Sequence, residues 1–227
     1  MDNYEMNQVL HRYNLAKPHT LVYSYEELKA LGVEPEFIFA LLHVFENKLE
    51  FNSEMFRHFP LPVIIDYLRK THRYYLTKKL LEIEQSIHHL ATNYPLTHPL
   101  LLILNTFYTD YRNHLTRHIE VEETKLLPYI EYLISKERGE VVDGQHYQSY
   151  SLKNFFDQHH DTEKDLEEVR RAMVQYSPPP SNQTMYRILL SQLQVLEKDL
   201  AIHALIEDEV LIPRAIELEL KVSGNQN

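Results

Sequence analysis

An all-α fold, an up-down-up-down four-helix bundle behind a small helical segment, is what three features of this sequence predict. Chain punctuation is sparse, with four glycines in 227 residues. Leucine and glutamate are abundant, a mixture that leans towards helix. Long stretches repeat apolar residues every three to four positions and are parted by short proline-bearing stops.

Residues 4–14, 24–30 and 34–50 read as short helices, and 1–55 as a small N-terminal domain. Pro60-Leu61-Pro62 ends that region and opens a long helix, because proline is tolerated in a first turn. Ile64, Ile65, Leu68, Leu76, Leu80, Ile83 and Ile87 mark its apolar stripe, which runs to about Ala91. A second helix starts at His98-Pro99, carries Leu101, Leu104, Tyr108, Tyr111, Leu115, Leu126 and Ile130, and leaves through Arg138-Gly139 and Asp143-Gly144. The third spans 151–176, with Leu152, Phe155, Leu166, Val169 and Met173 on one face, and stops at Ser177-Pro178-Pro179-Pro180. The fourth runs from about Gln183 to Leu220. Residues 60–222 make the bundle domain.

The net charge of −10 opposes nucleic acid as a partner, since phosphate contacts need clustered Lys and Arg. No apolar run approaches the ~20 residues of a membrane span, and residues 1–5 carry no signal-peptide pattern. A cytoplasmic protein without a membrane partner is the expectation. The absence of cysteine excludes disulfides, thiolate metal sites and cysteine nucleophiles. Fourteen histidines stand out. Any transition-metal site must therefore be built from imidazole and carboxylate.

Two helices repeat His-x-x-x-Glu: His118 with Glu122, and His203 with Glu207. That spacing stacks both side chains on one face. Each pair precedes an apolar stretch ending in proline, Leu126-Leu127-Pro128 and Leu211-Ile212-Pro213. Counted along their helices at ~1.5 Å per residue, His72, His118, His159 and His203 stand at roughly 25–30 Å from one end of the bundle. Four histidines at one level, two with a carboxylate one turn away, make a six-ligand cage suited to two carboxylate-bridged metal ions. Iron or manganese is the natural occupant.

The same ruler sets His88 and His89 about 25 Å from His72, as helix-end residues. His11, His19, His43, His58, His98 and His146 lack a carboxylate at helical spacing and read as surface. His159 lies on the apolar stripe of its helix, and the adjacent His160 diverges by about 100°. His114 is a further ligand or an outer partner. Asp199 is either an acceptor for an imidazole N–H or simply solvated. Tyr75, Tyr108 and Tyr111 are candidates to line the site.

Glu168-Val169-Arg170, Tyr176-Ser177-Pro178-Pro179, Met185-Tyr186-Arg187, Leu196-Glu197-Lys198-Asp199-Leu200 and the run from His203 to Ala215 form one pattern with His118-x-x-x-Glu122-Glu123 and Leu127-Pro128. It resembles the hemerythrin-like proteins, and specifically the repair-of-iron-centres (Ric) family, over residues 60–216. The resemblance implies two non-haem iron ions, carboxylate- and oxo-bridged, with manganese the alternative. Glu122 and Glu207 would bridge, and His72, His118, His159 and His203 would be terminal ligands. It further implies protection or repair of iron–sulfur clusters under nitrosative or oxidative stress. O₂ or NO would be small ligands and damaged iron–sulfur proteins partners, for a monomer or homodimer. A hemerythrin-like O₂ or iron sensor without turnover is the alternative.

Two positions depart from the family pattern. Counting back without a gap from Leu80 puts Arg73 where the family has its first-helix ligand, with His72 one place earlier. Arginine stays protonated and cannot ligate, so His72 is the expected ligand through a one-residue slip. Family members often carry adjacent cysteines near the N-terminus, where this chain has Pro18-His19 after His11-Arg12-Tyr13-Asn14-Leu15. Thiol chemistry is not expected there.

Overall fold

The computed structural model describes residues 4–15, 23–46, 51–92, 98–147, 150–158, 166, 170, 171, 173, 174 and 183–224. Every regular element among them is helical. In chain order they are α1 (Tyr4–Arg12), α2 (Tyr25–Ala30), α3 (Pro35–Glu46), α4 (Glu54–Arg57) and α5 (Leu61–Tyr74), the last continuing through a π turn (Tyr75–Lys79) into α6 (Leu80–Ala91). Next come α7 (Pro99–Val121), a second π turn (Glu122–Leu126), α8 (Leu127–Glu137), a 3₁₀ turn (Gln145–Tyr147) and α9 (Leu152–Gln158). The chain ends on α10 (Gln183–Ile206), a third π turn (Glu207–Leu211) and α11 (Ile212–Gly224). The last helix thus runs past the expected Leu220. The four-residue α4 falls below what periodicity can register. Among the described residues no helix is long and apolar enough to cross a membrane.

The chain divides into two compact units. The first comprises Met1–Tyr74, Lys125–Gln158 and Ile202–Asn227. Its core includes Phe37, whose ring meets Phe56, Phe59 and Tyr67 edge-on at centroid distances of 5.7, 5.1 and 5.6 Å. Helix α5 is tied to α8 by a bidentate pair, Arg69 donating to both oxygens of Glu131 at 2.5 and 2.9 Å. Gly139, at φ +77°, takes the left-handed turn that ends α8 and lets the Glu140 amide reach the Ser135 carbonyl at 3.0 Å. Beyond it, Tyr129, Tyr132, Tyr147 and Tyr150 cluster with centroids 4.6–6.5 Å apart. Glu219 of α11 accepts from the Tyr129 hydroxyl at 2.7 Å and from the Leu152 amide at 3.4 Å, which anchors α9.

The second unit comprises Tyr75–Thr124 and His159–Ala201. His98 caps α7, its Nδ1 accepting from the Leu100 amide at 3.3 Å, with Pro99 in the first turn. Helices α6 and α7 are joined by the Tyr108 hydroxyl donating to the Leu80 carbonyl at 2.5 Å, and by Arg112 donating to Glu84 at 2.9 Å. On α10, Tyr186 donates to the Met173 carbonyl at 2.6 Å and Glu197 accepts from Arg170 at 2.8 Å.

Burial pushes the Tyr150 phenol up to about 12, with the nearby Glu219 carboxylate adding to the shift. A phenol with a raised folded pKa contributes stability that is whole below the unfolded pKa of about 10 and is lost above it. Thermal unfolding of Tyr150→Phe should therefore show a smaller loss of stability between pH 10 and about 12 than the natural chain. Equal losses would contradict this placement.

Candidate metal centre

In the first unit, α5 carries His72 and the end of α10 carries His203, at 2% and 5% exposure. Their Nε2 atoms lie 3.3 Å apart, with ring centroids at 5.0 Å. That is the spacing of neighbouring ligands on one cation with bonds of about 2.1 Å. One turn after His203, Glu207 is buried at 3%, with a carboxylate oxygen 3.5 Å from the His203 Nε2. Ile206, Val210 and Leu211, on the same turns, are fully buried. Two imidazoles meet here, and the second has a buried carboxylate one turn beyond it; nitrogen and oxygen donors of this kind are those iron and manganese take.

The second unit holds the matching pair. His118 and Glu122 approach to 2.7 Å, Nε2 to Oε1, and the glutamate side chain is 1% exposed. The predicted i,i+4 geometry is present in both motifs, and both carboxylates are inside. His159 lies outside the described residues, as do His19 and His160.

Both glutamates are the first residue of a π turn. A π turn is wider than an α turn by one residue and recurs at functional sites. Its cause here is legible six residues on, at Pro128 and Pro213. Proline offers no amide to the carbonyl four residues back, and its ring presses on that carbonyl. Those carbonyls belong to Thr124 and Glu209, inside the two π turns. The Leu-Pro and Ile-Pro steps that looked like shared context are thus the device that opens the helix beside each carboxylate. The π turn Tyr75–Lys79 has Leu81, not proline, at the equivalent position, and nothing in its own residues explains it.

That turn is what a one-residue slip in the first helix would require. It stands between Leu80 and His72, so the count back from Leu80 to the inward position is longer by one residue than in a plain α-helix. His72 is buried and Arg73 exposed, as the slip requires.

Other candidates sort by burial. His43, His58, His88, His89, His114 and His146 are exposed, which leaves His114 on the outside of α7 rather than among the inward donors. Asp199, one turn before His203, is buried at 2% and accepts from the fully buried Tyr75 hydroxyl at 2.8 Å, so simple solvation is ruled out. Lys79 is nearly buried too; desolvation holds its pKa below the usual lysine range, against the pull of Glu82 and Asp199. Tyr108 and Tyr111 are core residues of the second unit. A Tyr–Asp bond between two helices leaves no trace in the periodicity of either, and only the type of residue at position 199 hinted at it.

No family model matches the chain. Over 186 residues it is 25% identical to the iron–sulfur cluster repair protein ScdA of Staphylococcus haemolyticus (strain JCSC1435), with 82% of this chain and 81% of that protein covered. The likeness to the Ric family is borne out.

Tyr75→Phe removes one donor to Asp199 and should cost about 1 kcal/mol of stability, the usual net contribution of one intramolecular hydrogen bond. Denaturant unfolding of the metal-free protein measures it. A change within about 0.3 kcal/mol would mean that this bond is not part of the folded state.

Proposed function

We propose that this chain is a non-haem di-iron protein that repairs or protects iron–sulfur clusters under nitrosative or oxidative stress. In this reading residues 60–222 form a hemerythrin-like four-helix bundle, and His72, His118, Glu122, His159, His203 and Glu207 serve one centre. The observation that carries it is the pair of glutamates buried at 1% and 3% exposure, each one turn beyond an imidazole on its own helix. Buried carboxylates need positive compensation, because desolvating one costs several kcal/mol. The His72–His203 approach and the cluster-repair name of the relative support the same reading.

The donors match the task. Neutral imidazole nitrogens would hold the ions terminally, and Glu122 and Glu207 would bridge them. When bound, the ions supply exchangeable iron and open positions for small diatomic ligands. Two carboxylates would leave a ferrous pair with residual positive charge, which favours binding of O₂ or NO at the open positions. Glu207 is 3% exposed, on turns whose Ile206, Val210 and Leu211 are fully buried. With no cysteine in the sequence, this chain's own repair chemistry runs through iron rather than thiol.

Iron-loaded protein should restore an iron–sulfur enzyme damaged by nitric oxide faster than the same amount of free ferrous iron does. Restoration no better than free iron would contradict the repair function. Glu122→Ala and Glu207→Ala should each lower bound iron, read by elemental analysis, far more than His88→Ala or His89→Ala. Equal losses at Glu122 and His88 would remove the glutamates from the centre.

A further inference from the structure

The N-terminal helix carries an unusual burial. Arg12, the last residue of α1, is 4% exposed. Its guanidinium carbon lies 5.1 Å from the Phe45 ring centroid and 5.5 Å from those of both Tyr67 and Tyr74. Its Nη1 donates to the Tyr67 hydroxyl at 3.0 Å, and the Tyr74 hydroxyl donates to Oε1 of Gln8, one turn earlier on α1. A cation over ring faces is stabilised by their quadrupoles, most strongly when desolvated as here.

Both tyrosines belong to α5, the helix of His72. Tyr67 and Tyr74 are seven residues apart and so share one face. His72 stands roughly 140–160° round the helix from them. The face gripped by Arg12 is therefore nearly opposite the face that presents His72 to His203. Rotation of α5 by one residue, about 100°, would exchange His72 for Arg73. An aromatic clasp on the back of the helix opposes that rotation.

We propose that Arg12 is a positioning residue for the iron centre: its clasp on Tyr67 and Tyr74 sets the rotation of α5 that turns His72, and not Arg73, towards His203. The N-terminal segment then acts on iron retention without contributing a ligand or a thiol. This rests on the reading of His72 as a ligand.

The test compares iron-loaded full-length variants by iron per chain, absorption spectrum and rate of iron loss to a ferrous chelator, with far-ultraviolet circular dichroism to check the fold. Arg12→Met keeps the bulk and removes the charge. It should lose iron about thirtyfold faster than the natural chain, the ratio corresponding to one desolvated cation–π contact. Arg12→Lys keeps the cation and should retain iron nearly as the natural chain does. Arg73→His should restore retention in the Arg12→Met background, where α5 is free to turn, and change little in the natural one; a merely structural arginine would not yield to that rescue. Should Arg12→Met lose its helical signal, Phe45→Leu takes out one ring of the clasp and carries the same comparison. Iron loss unchanged in Arg12→Met or Phe45→Leu while His72→Ala loses iron fast overturns the inference alone. His72→Ala behaving as the natural chain overturns the reading of the centre, and the inference with it.

Discussion

A carboxylate held out of water one helical turn from an imidazole is the constraint around which the described structure is arranged. Glu122 and Glu207 are among the most deeply buried charged residues of those described. Packing alone cannot hold such groups inside, since each one brings a desolvation cost that apolar neighbours do not offset. The local sequence addresses this with the same solution in each unit. An imidazole stands four residues earlier, a π turn begins at the glutamate, and a proline six residues later keeps that turn open.

The rotation of α5 is the second dependency. Its residues offer two adjacent side chains, one able to ligate and one not, and a turn of the helix by one position decides between them. On one side the π turn Tyr75–Lys79 absorbs the extra residue. On the other, the Tyr67–Tyr74 face is held against Arg12 and Gln8. The result is a His72 that meets His203 at 3.3 Å. Asp199 and Tyr75 add a buried bond within the second unit, one turn before His203 and three residues after His72 in the chain.

How much of this the sequence disclosed follows from the kind of interaction. Helices with one apolar stripe announce themselves through 3.6-residue spacing, so α5 through α8, α10 and α11 were readable to within a few residues. His-x-x-x-Glu was readable because both partners lie on one helix. The choice of His72 over Arg73 was visible as a conflict between apolar phase and family register. Its cause was not, because counting residues in α turns assumes that every turn has the same width. The Arg12 clasp joins residues more than fifty positions apart, and no local pattern encodes such a contact. His98 was read as surface, though a side chain acceptor directly before Pro99 is a helix-start signal that could have identified its cap.

Iron-edge X-ray absorption on the full chain, loaded with ferrous iron and paired with an iron count, tests the central claim most directly. The account predicts about two irons per chain, a first shell of nitrogen and oxygen with imidazole scattering beyond it, and a distinct iron–iron contribution. A single iron per chain, or two without that contribution, would contradict a di-iron centre held by these histidines and glutamates.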